Sequence, residues 1–505
     1  MSTFRLTTLA TLLFAAAPAF AQPSDTPPTP PPDAPTPPTP PTPPTPPTPP
    51  SDWTPPPPTN EKPPVEEPVK QQPPPADHPA YTIGSKWDAS LYGFVELDMI
   101  KDTTQGLVDL AGNSAISRPS TYAGDHGQLL VGARNSRIGF KLGAPAYDGI
   151  KATAQLEMDF LGNQPGKPFD STGLVSESAF WQNPAFRIRH MNVKLEMPMD
   201  TYLLAGQYWE LFGWQSAFHP NSVQIQGLPG EVYSRTPQIR LGKIFKSDAV
   251  NVDVAVAALR SPDRASSTPD GQAGIKLSIN HWKAWHTGGS ASSGLDAAQI
   301  GVSVDGRRFS ADAFPAQNKQ VTRNGYGLSI DALIPIVAAT KESRANALTL
   351  TGSFVTGAGI ADQYTSLNGG VSNPAVPNPT MAATAPTYTP NIDSGLAMFY
   401  ANGDGTYSLH PIQWTSEIVG LQYYLPPSGR LFLSVNYSHM SSGNVDDFGA
   451  HNKTFNASQF ADLNVFFDLT PAVRFGLEGA YIDQTYTDGT DAPDYRAQLS
   501  AFFIF

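Results

Sequence analysis

Basic side chains recur at alternate positions in several short segments. Arg137 and Lys141 alternate with apolar residues, and so does Arg240. Arg187 and Arg189 are two positions apart. In a β-strand this spacing places side chains on one face. A planar guanidinium offers paired donors that suit carboxylates. These segments therefore predict strand faces that attract small anions.

The complete set of candidate interior residues also contains acids. The basic members are Arg137, Lys141, Arg187, Arg189, Lys194, Arg235 and Arg240, and the acidic members are Glu96, Asp98, Glu157 and Asp159. The basic residues either raise the anion concentration in a narrow cleft or pair with the acids and only fill the wall. Both roles are compatible, and we expect anion preference. Beyond His190 the apolar residues occupy the alternate positions that continue the series of Arg187 and Arg189. This change of phase predicts a β-bulge.

Period-2 alternation continues through residues 81–505 and predicts an all-β fold. The strands run about ten to thirteen residues, the length that a tilted transmembrane strand needs, and charges lie on their non-apolar face. We predict a transmembrane antiparallel β-barrel of about sixteen strands. The predicted strands are 89–101, 133–143, 150–161, 186–197, 201–210, 237–245, 249–259, 272–281, 298–309, 322–333, 347–358, 412–424, 430–440, 457–469, 472–484 and 495–505.

The connections between these strands alternate between short and long, as in outer-membrane barrels with periplasmic turns and external loops. The long ones are 102–128, 162–185, 211–236, 361–410 and 441–456. The stretch 282–297 breaks this rhythm, because a short periplasmic turn is expected at its position and the stretch is long. Strand numbers of fourteen or eighteen therefore remain possible. Aromatic pairs at strand ends, such as Tyr423-Tyr424 and Phe466-Phe467, predict interfacial girdles.

The region before the barrel predicts export. Residues 1–21 have Arg5, an apolar run over Leu9–Ala17 and the small-x-small site Ala19-Phe20-Ala21, which is typical of a signal peptide. Residues 22–80 hold more than half of the 52 prolines. Proline lacks the N–H that helices and ladders need, so a disordered, extended periplasmic linker is expected. We favour a solubilising spacer over a tether toward the cell wall.

Composition removes several function classes. The formal net charge of -12 argues against nucleic acid as a partner, and the absence of cysteine excludes disulfides and thiolate sites. The histidines form no recognisable catalytic signature, so we do not expect an enzyme. His281 and His286, five positions apart, are a weak metal signal, and no cofactor or metal is expected.

The last segment, 499–505, alternates apolar residues and ends in Phe505. This pattern resembles the signal by which the outer-membrane assembly machinery recognises its clients. The sequence therefore predicts a bacterial outer-membrane location. The outward face is expected to contact membrane lipid and lipopolysaccharide, with the N-terminal extension in the periplasm.

Several segments resemble the trimeric sixteen-stranded porins, in particular the DcaP-like group. The segments are Leu91–Asp98, Ser136–Lys141 with Gly149–Ala152, Phe186–His190, Leu203–Trp209 and Arg235–Arg240. The resemblance covers about 89–260 well and the C-terminal half less well. It implies a homotrimer and a channel for passive diffusion of small anionic solutes such as dicarboxylates. That group carries a helical N-terminal extension, whereas this chain has polyproline, which leaves any trimer-stabilising role of the extension in doubt.

The same resemblance implies that the connection 211–236 folds into the barrel as the third loop of a porin does. The alternative is that it stays outside as a lid. A different function also stays open: the barrel is an outer-membrane anchor or adhesin, whose long loop 361–410, poor in charges, binds a partner. A secretion function would need a passenger or periplasmic domains, and neither is visible.

Overall fold

A computed structural model describes residues 80–83, 87–162, 184–262, 266–288, 293–312, 320–367, 396–401, 407–448 and 455–505. The predicted signal peptide and almost all of the linker lie outside these residues. Within these residues regular structure is nearly all β, and their one α-helix, Tyr122–Asp125, has four residues. Among the described residues, none of the helices has the length and apolarity that crossing a membrane requires.

Sixteen antiparallel strands form one closed barrel, which confirms the predicted fold class and strand number. In chain order they are β1 (Trp87–Asp102), β2 (Gln128–Gly132 with Arg137–Gly143), β3 (Lys151–Asp159), β4 (Arg187–Met197), β5 (Thr201–Trp209), β6 (Arg235–Lys246), β7 (Val250–Leu259), β8 (Asp270–Thr287), β9 (Ser293–Asp312), β10 (Gln320–Val337), β11 (Leu348–Ala358), β12 (Gln413–Tyr424), β13 (Leu431–Ser442), β14 (Phe455–Thr470), β15 (Val473–Tyr486) and β16 (Asp491–Ile504). Each strand pairs with its neighbours in sequence, and β16 closes the ring on β1.

The seam of the barrel lies at β1. Its first half pairs with the second segment of β2 and its second half with the first segment. A short strand, Ala80–Ile83, also pairs with the start of β1. The Gly93 N–H donates to the Phe505 carbonyl at 2.9 Å, and the Phe505 N–H donates to the Gly93 carbonyl at 3.0 Å. The closed ring leaves no sheet edge, as a membrane barrel requires.

The two ends of the barrel differ in their connections. At the end that we call the short-turn end, β2–β3, β4–β5, β6–β7, β12–β13 and β14–β15 are joined by turns of a few residues. We call the other end the long-loop end. It carries three long connections: the first loop, L1 (103–127), the third loop, L3 (210–234), and the sixth loop, L6 (359–412). Alternating connections of this kind were predicted.

The alternation of residue types sorts apolar side chains outward and polar side chains inward. On β16, Tyr495, Leu499 and Phe503 are at least half exposed, whereas Arg496 and Gln498 are almost completely buried. A soluble sandwich would bury the apolar face. An apolar exterior around a charged interior is the arrangement that a bilayer stabilises.

A β-bulge shifts β4 against β3. Glu157 pairs with His190, and Met158 pairs with Ile188, so Arg189 is the extra residue between two pairs. Both Arg189 and His190 are consequently buried inside. The bulge predicted near His190 is confirmed.

The expectation of a short turn over 282–297 was wrong. Strands β8 and β9 continue through this stretch, up to Thr287 and from Ser293. A register shift lies between Ile279 and Lys283, and beyond it Trp285 and Thr287 are buried. The irregularity turns the end of the hairpin into the barrel, which the alternation pattern does not reveal.

The predicted aromatic girdle needs a correction as well. Tyr423 and Phe467 have the outward phase of their strands, but Tyr424 and Phe466 are buried in the interior. Adjacent residues on a strand point to opposite faces, so an aromatic pair supplies one residue to each side of the wall.

Candidate functional site

The loop L3 folds into the barrel interior, as expected, and does not form an external lid. At its root, Leu211 and Phe212 donate their backbone N–H groups to the Gln272 side chain on β8, each at 3.0 Å. Nearly every residue from 209 to 233 is buried. A buried loop must satisfy its backbone groups within the protein, and the side chains of the barrel wall provide the partners.

The tip of L3 reaches the opposite wall. The Val223 N–H donates to Asn464 Oδ1 on β14, and the Gln224 N–H donates to Glu478 Oε2 on β15, both at 2.8 Å. The Asn221 carbonyl accepts from Ser434 Oγ on β13 at 2.6 Å. L3 therefore crosses the lumen from β5 to β13–β15 and divides it into two halves.

Loops L1 and L6 hold L3 in place from the long-loop end. Asn113 of L1 accepts from the Gly230 N–H at 2.9 Å and donates to the Thr365 carbonyl of L6 at 2.7 Å. Val232 and Tyr364 form an antiparallel bridge. Apolar residues of all three loops join an interior cluster with the strand residues Phe309, Val355, Trp414, Ile418, Met440, Phe460 and Ile482. Most described residues of the loop 361–410 are thus buried, although Ser366, Tyr400 and His410 are exposed; its other residues lie outside the described part of the chain.

An aromatic row fills the short-turn half below L3. Tyr424, Phe432 and Phe466 stack along β12–β14 with ring centroids 4.9 and 4.7 Å apart. Val223 and Ile225 of L3 pack against this row. The interior-facing residues of β12–β16 are consequently buried along nearly their whole length, and those of β1 are buried from Phe94 onward. We call the interior face of β10–β16 and β1 the packed side.

The opposite wall keeps access to solvent. At the short-turn half of β2–β8, interior-facing side chains border a space that we call the vestibule: Lys141, Gln155, Lys194, Asp253 and Lys276. The Lys194 side chain is 42% exposed. Polar side chains converge here and water reaches them, so this wall is the candidate route for a solute.

Four of the predicted arginines meet above the vestibule. Glu157 accepts from Arg189 Nε at 2.7 Å and lies 3.6 Å from Arg137 Nε. Asp159 accepts from Arg187 at 2.6 Å and from Arg189 at 3.2 Å. The two acids therefore do pair with arginines, which is the wall-filling role left open by the sequence.

Arg235 completes this arginine cluster without a carboxylate. Its guanidinium carbon lies 4.7 Å from the Trp209 ring centroid and 5.1 Å from that of Tyr233. Within the described residues Arg235 forms no ion pair, and its Nη1 is buried without a hydrogen-bond partner. Aromatic faces attract a cation but leave its positive charge uncompensated.

The cluster therefore carries excess positive charge. By formal charge, its four arginines, at 137, 187, 189 and 235, outnumber by two the carboxylates that pair with them, Glu157 and Asp159. Arg187 is the accessible member, with 31% of its side chain exposed. In a cleft with low-dielectric walls, uncompensated charge concentrates counter-ions.

The other predicted basic residues lie at different depths. Lys141 Nζ lies 5.0 Å from the Tyr92 ring centroid at the vestibule. Lys194 pairs with Glu196 at 3.0 Å. Arg240 is buried and donates to the Gln238 side chain at 3.0 Å. The cluster and these residues share one wall but do not form a continuous ladder.

The acids Glu96 and Asp98 lie on the packed side. Asp98 accepts from Asn135 Nδ2 at 2.7 Å and from Ser500 Oγ at 2.5 Å. Glu96 is fully buried. Their side chains face inward, as the alternation predicted, but water does not reach them.

Sequence reasoning missed three residues of the site. Trp209 and Tyr233 hold Arg235, and Lys276 lies 5.1 Å from the Trp214 ring of L3. Trp209 is the cross-strand partner of Arg235, and Tyr233 precedes Arg235 by two positions. The contact between Lys276 and Trp214 is not revealed by sequence spacing, because it joins a strand to a loop that reaches it only in the folded barrel. Among the described residues, no three His, Asp or Glu side chains are arranged to hold a metal.

Solved structures provide the comparison for this arrangement. The chain is similar to the outer-membrane channel DcaP of Acinetobacter baumannii, with 18% identity and a TM-score of 0.56 over 84% of this chain and 99% of that one. An anion-selective porin from Comamonas acidovorans matches at 9% identity and a TM-score of 0.45, over 83% of this chain and 100% of that one. No protein-family model and no curated protein sequence matches. The chain thus has the fold of an outer-membrane porin channel.

Proposed function

We propose that the protein is an outer-membrane porin through which small hydrophilic anions, such as dicarboxylates, diffuse passively. The observation that carries the proposal is the excess of two positive charges at the arginine cluster, on the wall that water reaches. In this proposal the short-turn end faces the periplasm with the proline-rich extension, and the long-loop end faces outside.

The cluster selects by charge, and L3 narrows the passage beside it. A carboxylate that comes within about 4 Å of one uncompensated guanidinium gains about 1 to 4 kcal/mol, between the dielectric of water and that of a protein surface. Glu157 and Asp159 keep the guanidinium groups of Arg137, Arg187 and Arg189 in place. The two acids keep the arginines oriented and offset only part of their positive charge.

A homotrimer is part of the proposal, and the outward face supports it. Outward tyrosines occur on β10–β16, namely Tyr326, Tyr423, Tyr437, Tyr481 and Tyr495. In the described strands β2–β7, no tyrosine or tryptophan is exposed on the outer face: Tyr202 and Tyr208 face inward, and Trp209 is buried against Tyr233. Outward tyrosines and tryptophans anchor a barrel at the membrane interface. An arc without them suits contact with a neighbouring copy.

Single-channel recording in a planar bilayer under a salt gradient tests the proposal. We expect conductance steps in threes and an anion-selective reversal potential. Replacing Arg187 and Arg235 together by Gln removes the excess charge, so the anion-to-cation permeability ratio should fall about threefold or more. The matched control is Arg308→Gln, because Arg308 lies on the exposed outer face of β9 and its loss should leave the ratio unchanged.

Two results would contradict this function. Cation selectivity of the unmodified channel would remove the proposed role of the arginines while keeping a porin. A correctly folded barrel that never conducts would reject the porin itself and favour the anchor or adhesin.

A further inference from the structure

The described part of the hairpin between β8 and β9 lies inside the barrel beyond a register shift. Beyond the register shift, Lys283–Thr287 of β8 pair with Ser293–Ala297 of β9. We call these two segments the inner hairpin. Its residues 284–287 are all buried, whereas the turns joining β4–β5 and β6–β7 contain exposed residues. A hairpin at the short-turn end therefore enters the lumen, opposite to L3.

The inner hairpin is docked on the far wall by paired hydrogen bonds. The Thr287 N–H donates to Gln422 Oε1 at 3.1 Å, and the Thr287 carbonyl accepts from Gln422 Nε2 at 3.0 Å. The Trp285 carbonyl accepts from Thr349 Oγ1 at 2.8 Å. These contacts carry the hairpin from β8–β9 across β10 to β11 and β12.

Further contacts join the inner hairpin to the β10–β11 connection, to the packed side and to L3. The Lys283 carbonyl accepts from the Ala339 N–H at 2.9 Å, and Trp285 packs with the aromatic row of the packed side. His286 Nε2 donates to the His219 carbonyl of L3 at 2.9 Å. A buried segment whose backbone groups meet matched partners is a specified part of the fold, and its position leaves L3 and the inner hairpin stacked in the lumen.

We infer that the inner hairpin is a second constriction element, which sets the width of the outlet at the short-turn end. The inference rests on the proposed porin function. The hairpin covers the packed side below L3, so a solute that passes the arginine cluster leaves only through the vestibule. Asp296 on the hairpin is 46% exposed and lies within electrostatic reach of Lys276. The outlet is thus bordered by the hairpin on one side and by the vestibule lysines on the other.

The register of β8 and β9 gives a precise deletion. Ile279 pairs with Ala298 immediately before the irregular stretch, so removal of residues 283–297 leaves Asn280, His281 and Trp282 as a three-residue turn. We expect the conductance of this variant to be at least about 1.5-fold that of the unmodified channel, because its outlet is wider. The variant should also admit larger solutes. Unchanged conductance and size limit in the folded variant would overturn the inference.

A point substitution separates outlet width from support of L3. His286→Ala keeps the hairpin and removes its side-chain contact with L3, so conductance should stay at the unmodified value. If His286→Ala alone reproduced the effect of the deletion, the hairpin would act by holding L3, and the inferred role in outlet width would be rejected.

A chemical block keeps the inference testable if the deletion does not fold. The chain has no cysteine, so Asp296→Cys introduces a unique thiol. A bulky membrane-impermeant thiol reagent added at the short-turn side should lower its conductance by about half. Leu277→Cys, on the outer face of β8, is the control and should not respond. No block at position 296 would contradict the inference, whereas an unmodified channel without conductance would reject the proposed function instead.

Discussion

At the scale of single residues, Glu157 connects several basic residues of the site. It contacts Arg137, Arg189 and His190, and its side chain is 8% exposed. Removing one partner of a buried ion pair leaves the other charge uncompensated. The residue therefore couples two properties, the stability of the wall and the charge that a solute meets.

Glu157→Gln should change both properties in opposite directions. The excess charge of the cluster rises from two to three, so anion selectivity should increase, while the free energy of unfolding should fall by about 3 kcal/mol. Reversal potentials and urea unfolding measure the two effects. Glu196→Gln is the control, because its pair with Lys194 is about half exposed and is worth less than about 1 kcal/mol. An unchanged reversal potential in Glu157→Gln would show that the cluster does not face the solute.

At the scale of elements, tyrosine rings packed over glycines join neighbouring strands around the vestibule. Tyr92 on β1 pairs with Gly139 on β2, and Tyr202 on β5 pairs with Gly242 on β6. A Cβ at either glycine would lie 2.2 Å from the partner ring. Only glycine leaves room for the tyrosine to lie flat against the neighbouring strand.

Gly242→Ala should therefore destabilise the barrel. The added methyl group forces the Tyr202 ring away, which we expect to cost about 1 to 3 kcal/mol, the usual effect of overpacking. The control is Gly479→Ala, because a Cβ there has no atom within 4 Å. Denaturant midpoints of the two variants provide the comparison. Equal midpoints would mean that the ring moves without loss.

The elements that sequence predicts well are those that obey one local rule. Alternation located all sixteen strands, since a bilayer outside and a polar interior impose opposite demands on successive residues. The bulge at His190 was predictable for the same reason, because the apolar phase visibly changes there. The inner hairpin was not, since Asn280–Trp282 interrupt the period and Trp285 is apolar in the interior, where the rule expects polar residues.

The site was predictable to the extent that it lies on adjacent strands. Arg137, Arg187 and Arg189 come from β2 and β4, which flank Glu157 and Asp159 on β3, so alternation alone gathers them. Contacts made by L3 depend on loop closure over long sequence separations, which no local pattern encodes. The packing of half the lumen by L1 and L6 was missed for this reason.

At the scale of the whole molecule, the barrel divides its tasks between two walls. The packed side has an interior cluster like that of a soluble domain, which contributes stability. The other wall keeps buried charges and water-accessible side chains. Interior substitutions should differ accordingly: those on β12–β16 should alter mainly stability, whereas those among the charged residues of β2–β8, such as Glu157→Gln, should alter permeation as well as stability.

The N-terminal extension should be dispensable for the channel itself. The barrel's pairing begins at Ala80, the last residue of the predicted extended linker 22–80, so residues 22–79 precede every described strand. A variant without them should retain the conductance and the thermal midpoint of the unmodified protein, as measured by bilayer recording and by thermal unfolding monitored by circular dichroism. Loss of the threefold conductance steps would instead assign trimer stabilisation to the extension.

The reach of L3 also fixes the order of events when the protein forms. Val223 and Gln224 bind Asn464 and Glu478, which follow them by 241 and 254 positions. Contacts between residues so far apart in the sequence form late, because the chain between them must fold before the two residues come together. The partners of L3 exist only once β14 and β15 have joined the sheet. We therefore expect a stage of assembly at which the strands have closed but L3 has not yet docked, so that the lumen is wider than in the finished barrel.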